Sequence, residues 1–256
     1  MMGINERLQK PFFIAPVAMH LLMKYTRVNS FTEFDRHLIS AVCYFISCKS
    51  VDLPCILLSL IKVYHELRTK IKNQPISDLT EIKAKAYRDD ILNSEILVMK
   101  DIQFELDIEL PYKYIDEYRR IFIKRNHLFE QPDKIDKVIN CSMRCCNDSY
   151  ATMMSLYYHP LIIACCCIMY TLQYLKVVVK DDNNIPWFKW LNSLVNISDI
   201  QKASHFLNNL YAAAVKPVAP TISVNNSIIS APVEGKKKIE VIDVKTENIN
   251  SAPMVI

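Results

Sequence analysis

A chain of 256 residues that holds only two glycines, Gly3 and Gly235, has very few ways to turn sharply. Average usage of roughly 7% would supply about eighteen. A G-x-G-x-x-G or G-x-x-x-x-G-K-[ST] phosphate cradle cannot be built, because each needs several residues without a Cβ close together. Two-residue hairpins suffer similarly, since their primed turns lean on residues that tolerate positive φ. The chain is 51% hydrophobic and 23% charged. It is read as mostly helical and soluble, with length for two cores of about 100 residues each.

A formal net charge of +4 is too small and too dispersed to mark a nucleic-acid groove. The nine cysteines are an odd number and no Arg/Lys-led apolar segment opens the chain, so they are read as reduced, intracellular thiols. Cys165, Cys166 and Cys167 are consecutive on an expected helix and point in three directions, which suits small core fillers rather than converging metal ligands. Cys141 and Cys145 are an i, i+4 pair without a second pair nearby, so no metal site is assigned. Leu161 to Val179 approaches the length of a bilayer span, but Gln173 and Lys176 interrupt it and a buried helix explains it as well. The six histidines are scattered, and no nucleophile has a base at motif spacing, so no catalytic residue and no cofactor is expected.

Apolar residues recur at helical spacing in segments separated by short joints rich in Pro, Asn, Asp and Ser. The expected helices are Pro16 to Tyr25, Phe34 to Lys49, Cys55 to Lys70, Leu79 to Ile102, Pro111 to Lys124, Pro132 to Cys146, His159 to Lys176, Pro186 to Leu194 and Ser198 to Ala214. Asp78 with Glu81 has capping-box spacing, and Ser198-Asp199 can cap the last helix. From about Lys216 the chain loses its helical period and gains prolines and a charge cluster that includes Lys236-Lys237-Lys238, so 216–256 is read as a disordered polar tail.

Leu38-Ile39-x-Ala41-x-Cys43 recurs 123 residues later as Leu161-Ile162-x-Ala164-x-Cys166, each copy inside the most apolar helix of its half. Two copies of one helical bundle, each around a central buried helix, account for this. Charges intrude on the expected inner stripes. Lys49 follows Leu38, Val42 and Phe45, and Glu95 lies between Leu92 and Met99 on a stripe that starts at Arg88 and ends at Ile102. Singly, Lys49 can be a snorkelling side chain at a helix C-terminus and Glu95 a partner of surface charges such as Lys100 or Arg88. Together, opposite charges on neighbouring inner stripes suit the edge of a core that offers both to a partner's backbone.

Leu38 to Lys49 resembles the third helix of a cyclin box, whose usual ending is L-A-x-K-x-E-E. Ser94 to Leu106 is similar to the fifth helix, with its E-x-x-[IL]-L-x-x-L-x-F-x-[IL] pattern, and Leu110-Pro111-Tyr112 stands where transcription-type cyclins carry H-P-[HY]. Asn147-Asp148-Ser149, Pro160 to Ala164 and Pro186-Trp187-Phe188 extend the resemblance over about residues 11 to 214, leaning towards cyclin Q and then K, L and T.

The resemblance implies an all-α fold of tandem cyclin boxes, two five-helix bundles each around a central buried helix. Residues 1–108 form the first box, its first helix shortened or missing because Met1 to Phe12 leaves little room. Residues 109–215 form the second box, and 216–256 the tail. It also implies a regulatory subunit, not an enzyme, that forms a heterodimer with a cyclin-dependent protein serine/threonine kinase of the transcription-regulating class and activates it. Lys49 and Glu95 would hydrogen-bond the kinase near its C-helix. Asp52 would be the one carboxylate left of the family's usual pair, and Leu57, Leu60 and Ile61, on an unusually greasy fourth helix, would adjoin them. No direct nucleotide, membrane or nucleic-acid ligand is expected. The location implied is nuclear, with the cytoplasm also open. Two rival readings are a general transcription factor of the B type, which would want a zinc ribbon and a basic face, and a helical scaffold with no kinase.

Overall fold

The structure, a computed structural model, describes residues 1–30, 32, 34–73 and 78–215. The chain divides into two compact units, Met1–Leu207 and Asn208–Ile256. Among the described residues it is all-α, with two isolated β-bridges and no strand. The expected tail, 216–256, lies outside the described residues.

The first half of the larger unit contains α1 (Met2–Arg7), α2 (Ile14–Val28), α3 (Arg36–Ser50), α4 (Leu57–Ile71) and α5 (Glu81–Asp101). Helices α2, α4 and α5 all pack on α3, whose residues from Ala41 to Cys48 are all buried. The second half contains α6 (Tyr112–Lys124), α7 (Ile135–Ser149), α8 (Met154–Tyr157), α9 (Pro160–Leu175) and the start of α10 (Ile197–Val215). Here α6, α7 and α8 pack on α9, and Ile163 to Ile168 is again an unbroken buried run. The two sequence copies thus occupy the equivalent central helices, and both repeat pairs Ala41/Ala164 and Cys43/Cys166 are fully buried. A helix surrounded on all sides has no polar face to show, which explains the bilayer-like run in α9. No described helix is long and apolar enough to cross a membrane. Cys165, Cys166 and Cys167 are each fully buried, and all nine cysteines are free.

Several boundaries differ from the expected ones. Residues 1–12, where a first helix shortened or missing is expected, hold the short helix α1. Six residues are too few to hold a helix alone, and tertiary contacts fix this one. Ile4 is buried, and Asn5 donates from Nδ2 to the Lys10 and Pro11 carbonyls at 3.1 and 3.3 Å while its Oδ1 accepts from the Tyr44 hydroxyl at 3.0 Å. Helix α5 starts later than expected and is capped by the Thr80 hydroxyl, which accepts from the Lys83 N–H, rather than by Asp78. Helix α10 begins at Ile197, which places Ser198 and Asp199 within its first turn. The expected helix from Pro186 to Leu194 is only a 3₁₀ turn, Trp187–Lys189. Aromatic packing sets its course, and the Tyr118 hydroxyl donates to the Phe188 carbonyl at 2.7 Å.

The glycine shortage is met in an unexpected way. Sharp helix exits would be expected to rely on Asn, Asp, Ser and Pro; among the described residues the left-handed positions include Asp52, Asn73, Asn183 and Asn184, of the expected kinds, but also Gln9, Gln103, Phe104 and Lys176. Gln, Phe and Lys in that region cost roughly 1–2 kcal/mol each. Helix starts are better served. Asp35 Oδ1 accepts from the backbone N–H of His37 at 2.9 Å and of Leu38 at 3.3 Å, while its Oδ2 pairs with Arg68 at 2.7 Å. Replacing Asp35 by Ala should therefore lower stability by about 1–2 kcal/mol in a urea titration, and Asp35→Asn should recover most of it as an alternative cap.

Candidate functional site

Helix α3 leaves the core at its last turn, and Lys49 is the first residue in the run after Ala41 whose side chain reaches solvent. Its Nζ donates to Glu95 Oε1 at 2.6 Å and lies 4.4 Å from the centre of the Phe45 ring. Glu95 sits on the buried stripe of α5, between Ile91 and Val98, both of which are fully buried. That placement leaves its side chain 17% exposed, against 53% for Lys49. Neither charge follows the simple surface reading. Each is the other's partner, and together they form a clasp between the third and fifth helices. An ammonium has three donors and a carboxylate about four acceptor sites, so one mutual bond leaves both groups with capacity for further partners.

The other expected residues divide into two groups. Asp52 is exposed and left-handed, and its N–H bonds to the Lys49 carbonyl at 3.2 Å, so it forms the corner that ends α3. Leu57 is half-buried and borders a groove of about 520 Å³ between the start of α4 and α5, shared with Ile56, Leu58, Ile61 and Ala84 and rimmed by Glu81, Lys85 and Arg88. Leu60 and Ile61 are 0% and 2% exposed. Leu60 is therefore a core residue beneath the groove, not surface, and Ile61 only reaches its floor. The apolar atoms that face solvent here belong to Ile56 and Leu58, 71% and 51% exposed.

Sequence reasoning also passed over the apolar residues beside Glu95. Ile96 and Leu97 follow it on α5 and are exposed, and Phe104, just past the helix end, combines a left-handed backbone with an exposed ring. A bulky aromatic in a strained conformation, turned to water, is a costly arrangement that suits a contact surface. The hydrophobic pattern offered one clue, because Leu97 falls off the stripe through Leu92, Glu95 and Met99. Among the described residues, no group of three or more His, Cys, Asp or Glu could hold a metal ion.

No protein-family profile matches the chain. Curated relatives do. Cyclin-K of Danio rerio is 21% identical over 199 residues, covering 76% of this chain and 44% of the relative. Cyclin-K of Homo sapiens is 22% identical, covering 74% of this chain and 31% of the relative. Cyclin-T1-5 of Arabidopsis thaliana is 24% identical over 88% of this chain and 37% of its own length. The chain thus spans less than half the length of these relatives. Among solved structures, a chain of the yeast RNA Pol II CTD kinase CTDK-1 complex superposes with a TM-score of 0.64 at 14% identity, covering 82% of this chain and 62% of that one. A chain of the CAK complex of Chaetomium thermophilum bound to ATP-gamma-S gives a TM-score of 0.57 at 12% identity, over 80% and 59%. These superpositions establish the fold.

Proposed function

We propose that this chain, which belongs with the transcription-type cyclins, is the regulatory subunit of a cyclin-dependent protein serine/threonine kinase. The observation that carries the reading is the Lys49–Glu95 clasp at 2.6 Å, standing at the motif positions where cyclins hold their kinase and beside an exposed apolar surface on α4 and α5. Residues 1–108 and 109–215 are taken as the two boxes.

In this reading the kinase C-helix lies against Ile96, Leu97 and the groove residues Ile56, Leu57 and Leu58. Lys49 donates to backbone carbonyls at its end and Glu95 accepts from a backbone N–H. Asp52 holds the corner that aims Lys49. Binding favours the kinase state in which the C-helix glutamate pairs with the ATP-site lysine and the activation loop is ordered. The cyclin contributes differential affinity for that state, and phosphoryl transfer takes place in the partner, so the chain itself is not an enzyme. Its site of action is the nucleus, where transcription-regulating kinases meet their substrates.

The test is affinity purification of the tagged full chain from its native cell extract, followed by mass spectrometry and a kinase assay on a polymerase-tail peptide. A single protein kinase should co-purify in near-stoichiometric amount and phosphorylate the peptide. Recovery of the folded chain without any protein kinase would overturn the reading.

A further inference from the structure

Between Asp52 and Lys62 the chain carries no charge, and this stretch holds the start of α4. Its first turn has no acidic residue and no side chain caps it, so nothing local offsets the positive end of the helix dipole. Across the groove, Glu81, Ala84, Lys85 and Arg88 share one face of α5, as their spacing of three and four residues requires. Lys85 and Arg88 are exposed, and among the described residues neither makes an ion pair, with Glu81 or with any other carboxylate. The groove therefore combines apolar walls with two uncommitted cations.

That combination constrains what can cover it. Ile56 and Leu58 are largely exposed, and withdrawing their side chains from water is favourable at roughly 25 cal/mol per Å². The same cover withdraws Lys85 and Arg88 from water, and a desolvated charge without a partner is costly. An apolar occupant alone gains the first and suffers the second. One that brings a carboxylate gains the first and converts the second into charge-assisted hydrogen bonds, bidentate at the Arg88 guanidinium. Arg88 also opens the α5 stripe that continues through Leu92 to Glu95, about 10 Å along the helix axis, so one partner segment can reach both the groove and the clasp.

With a kinase as the partner, the reading on which this inference rests, we propose that the kinase segment seated in the groove is acidic and apolar together. An aliphatic or aromatic side chain enters between Leu58 and Ala84, and a carboxylate one helical turn away on the same face pairs with Arg88 and Lys85. The two cations thereby select among kinases. A kinase with a lysine or arginine at that place meets like charge in a groove emptied of water and is refused. The clasp addresses backbone groups that every kinase has, and so cannot discriminate in this way.

The test starts from the complex that co-purifies with the tagged full chain. A water-soluble carbodiimide, which joins an amine to a carboxylate without a spacer, should link Lys85 to an aspartate or glutamate of the kinase, read by mass spectrometry of the digest. Lys85→Glu with Arg88→Glu, both at exposed positions, should leave the helical circular dichroism spectrum intact and cut kinase recovery about tenfold or more. Lys83→Glu, an exposed charge on α5 that does not line the groove, should leave recovery within about twofold. A kinase retained undiminished by the double reversal, or a complex in which Lys85 is linked to no kinase carboxylate, would overturn the acidic occupant and leave the kinase reading standing. Recovery of the folded original chain with no kinase at all would overturn both.

Discussion

Reversing one charge of the clasp, as Lys49→Glu or Glu95→Lys, should cut kinase recovery by about 30-fold or more. Breaking one member of a hydrogen-bonded charge pair that becomes buried at an interface costs roughly 2–5 kcal/mol, and each 1.4 kcal/mol is about tenfold in affinity. The decisive variant is the double swap, Lys49→Glu with Glu95→Lys. An internal clasp at the surface contributes at most about 1 kcal/mol to stability, and the swap rebuilds it with the charges exchanged. A purely structural clasp would therefore be repaired by the swap. A clasp that also addresses a partner would not, because a carboxylate would then face the carbonyls that Lys49 had served. The expected outcome is a denaturation midpoint restored to within about 0.5 kcal/mol of the original chain while kinase recovery stays at the level of the single variants. Restored recovery would show that the pair holds only α3 to α5.

That distinction was partly visible in the residues themselves. Lys49 and Glu95 stand out as charges on otherwise apolar stripes, and the repeat of Leu38-Ile39-x-Ala41-x-Cys43 singles out the two central helices, because burial on every side forces the same small and apolar residues at the same turns. That the two charges bond each other at 2.6 Å was not legible, since helical periodicity fixes a face but not the neighbour across it. Leu60 illustrates the converse. In a run as apolar as Cys55 to Ile61 the pattern cannot say which side is buried, and contact with the core decides that Leu60 goes in and Leu58 stays out. Helix α1, expected to be shortened or missing, is six residues long, and its stability is tertiary, through Asn5 and Tyr44. Phe104 falls within the stretch Ser94 to Leu106, but its left-handed backbone and exposed ring have no signature in hydropathy.

The largest loss of stability should come from the second bundle, at Phe122. Its side chain is fully buried on α6 and stands at the centre of an aromatic cluster. Ring centres of Phe129, Tyr118, Trp187 and Trp190 lie 4.9, 5.7, 6.1 and 6.1 Å away, most of them edge to face. Such pairs add about 0.5–1.5 kcal/mol beyond the area they bury, and removing a buried phenyl ring leaves a cavity that its rigid neighbours cannot close. Phe122→Ala should cost roughly 3–5 kcal/mol in urea at 25 °C, whereas Ile123→Ala, one residue along the same helix and 52% exposed, should change stability by no more than about 0.5 kcal/mol. The cluster also holds the irregular segment around Trp187–Lys189. Phe122→Ala should therefore speed amide exchange there before the bundle unfolds as a whole. The clasp lies on α3 and α5, in the other bundle, so the folded fraction of Phe122→Ala should still retain the kinase at low temperature. A variant that lost the kinase while remaining folded would move part of the binding surface into the second bundle.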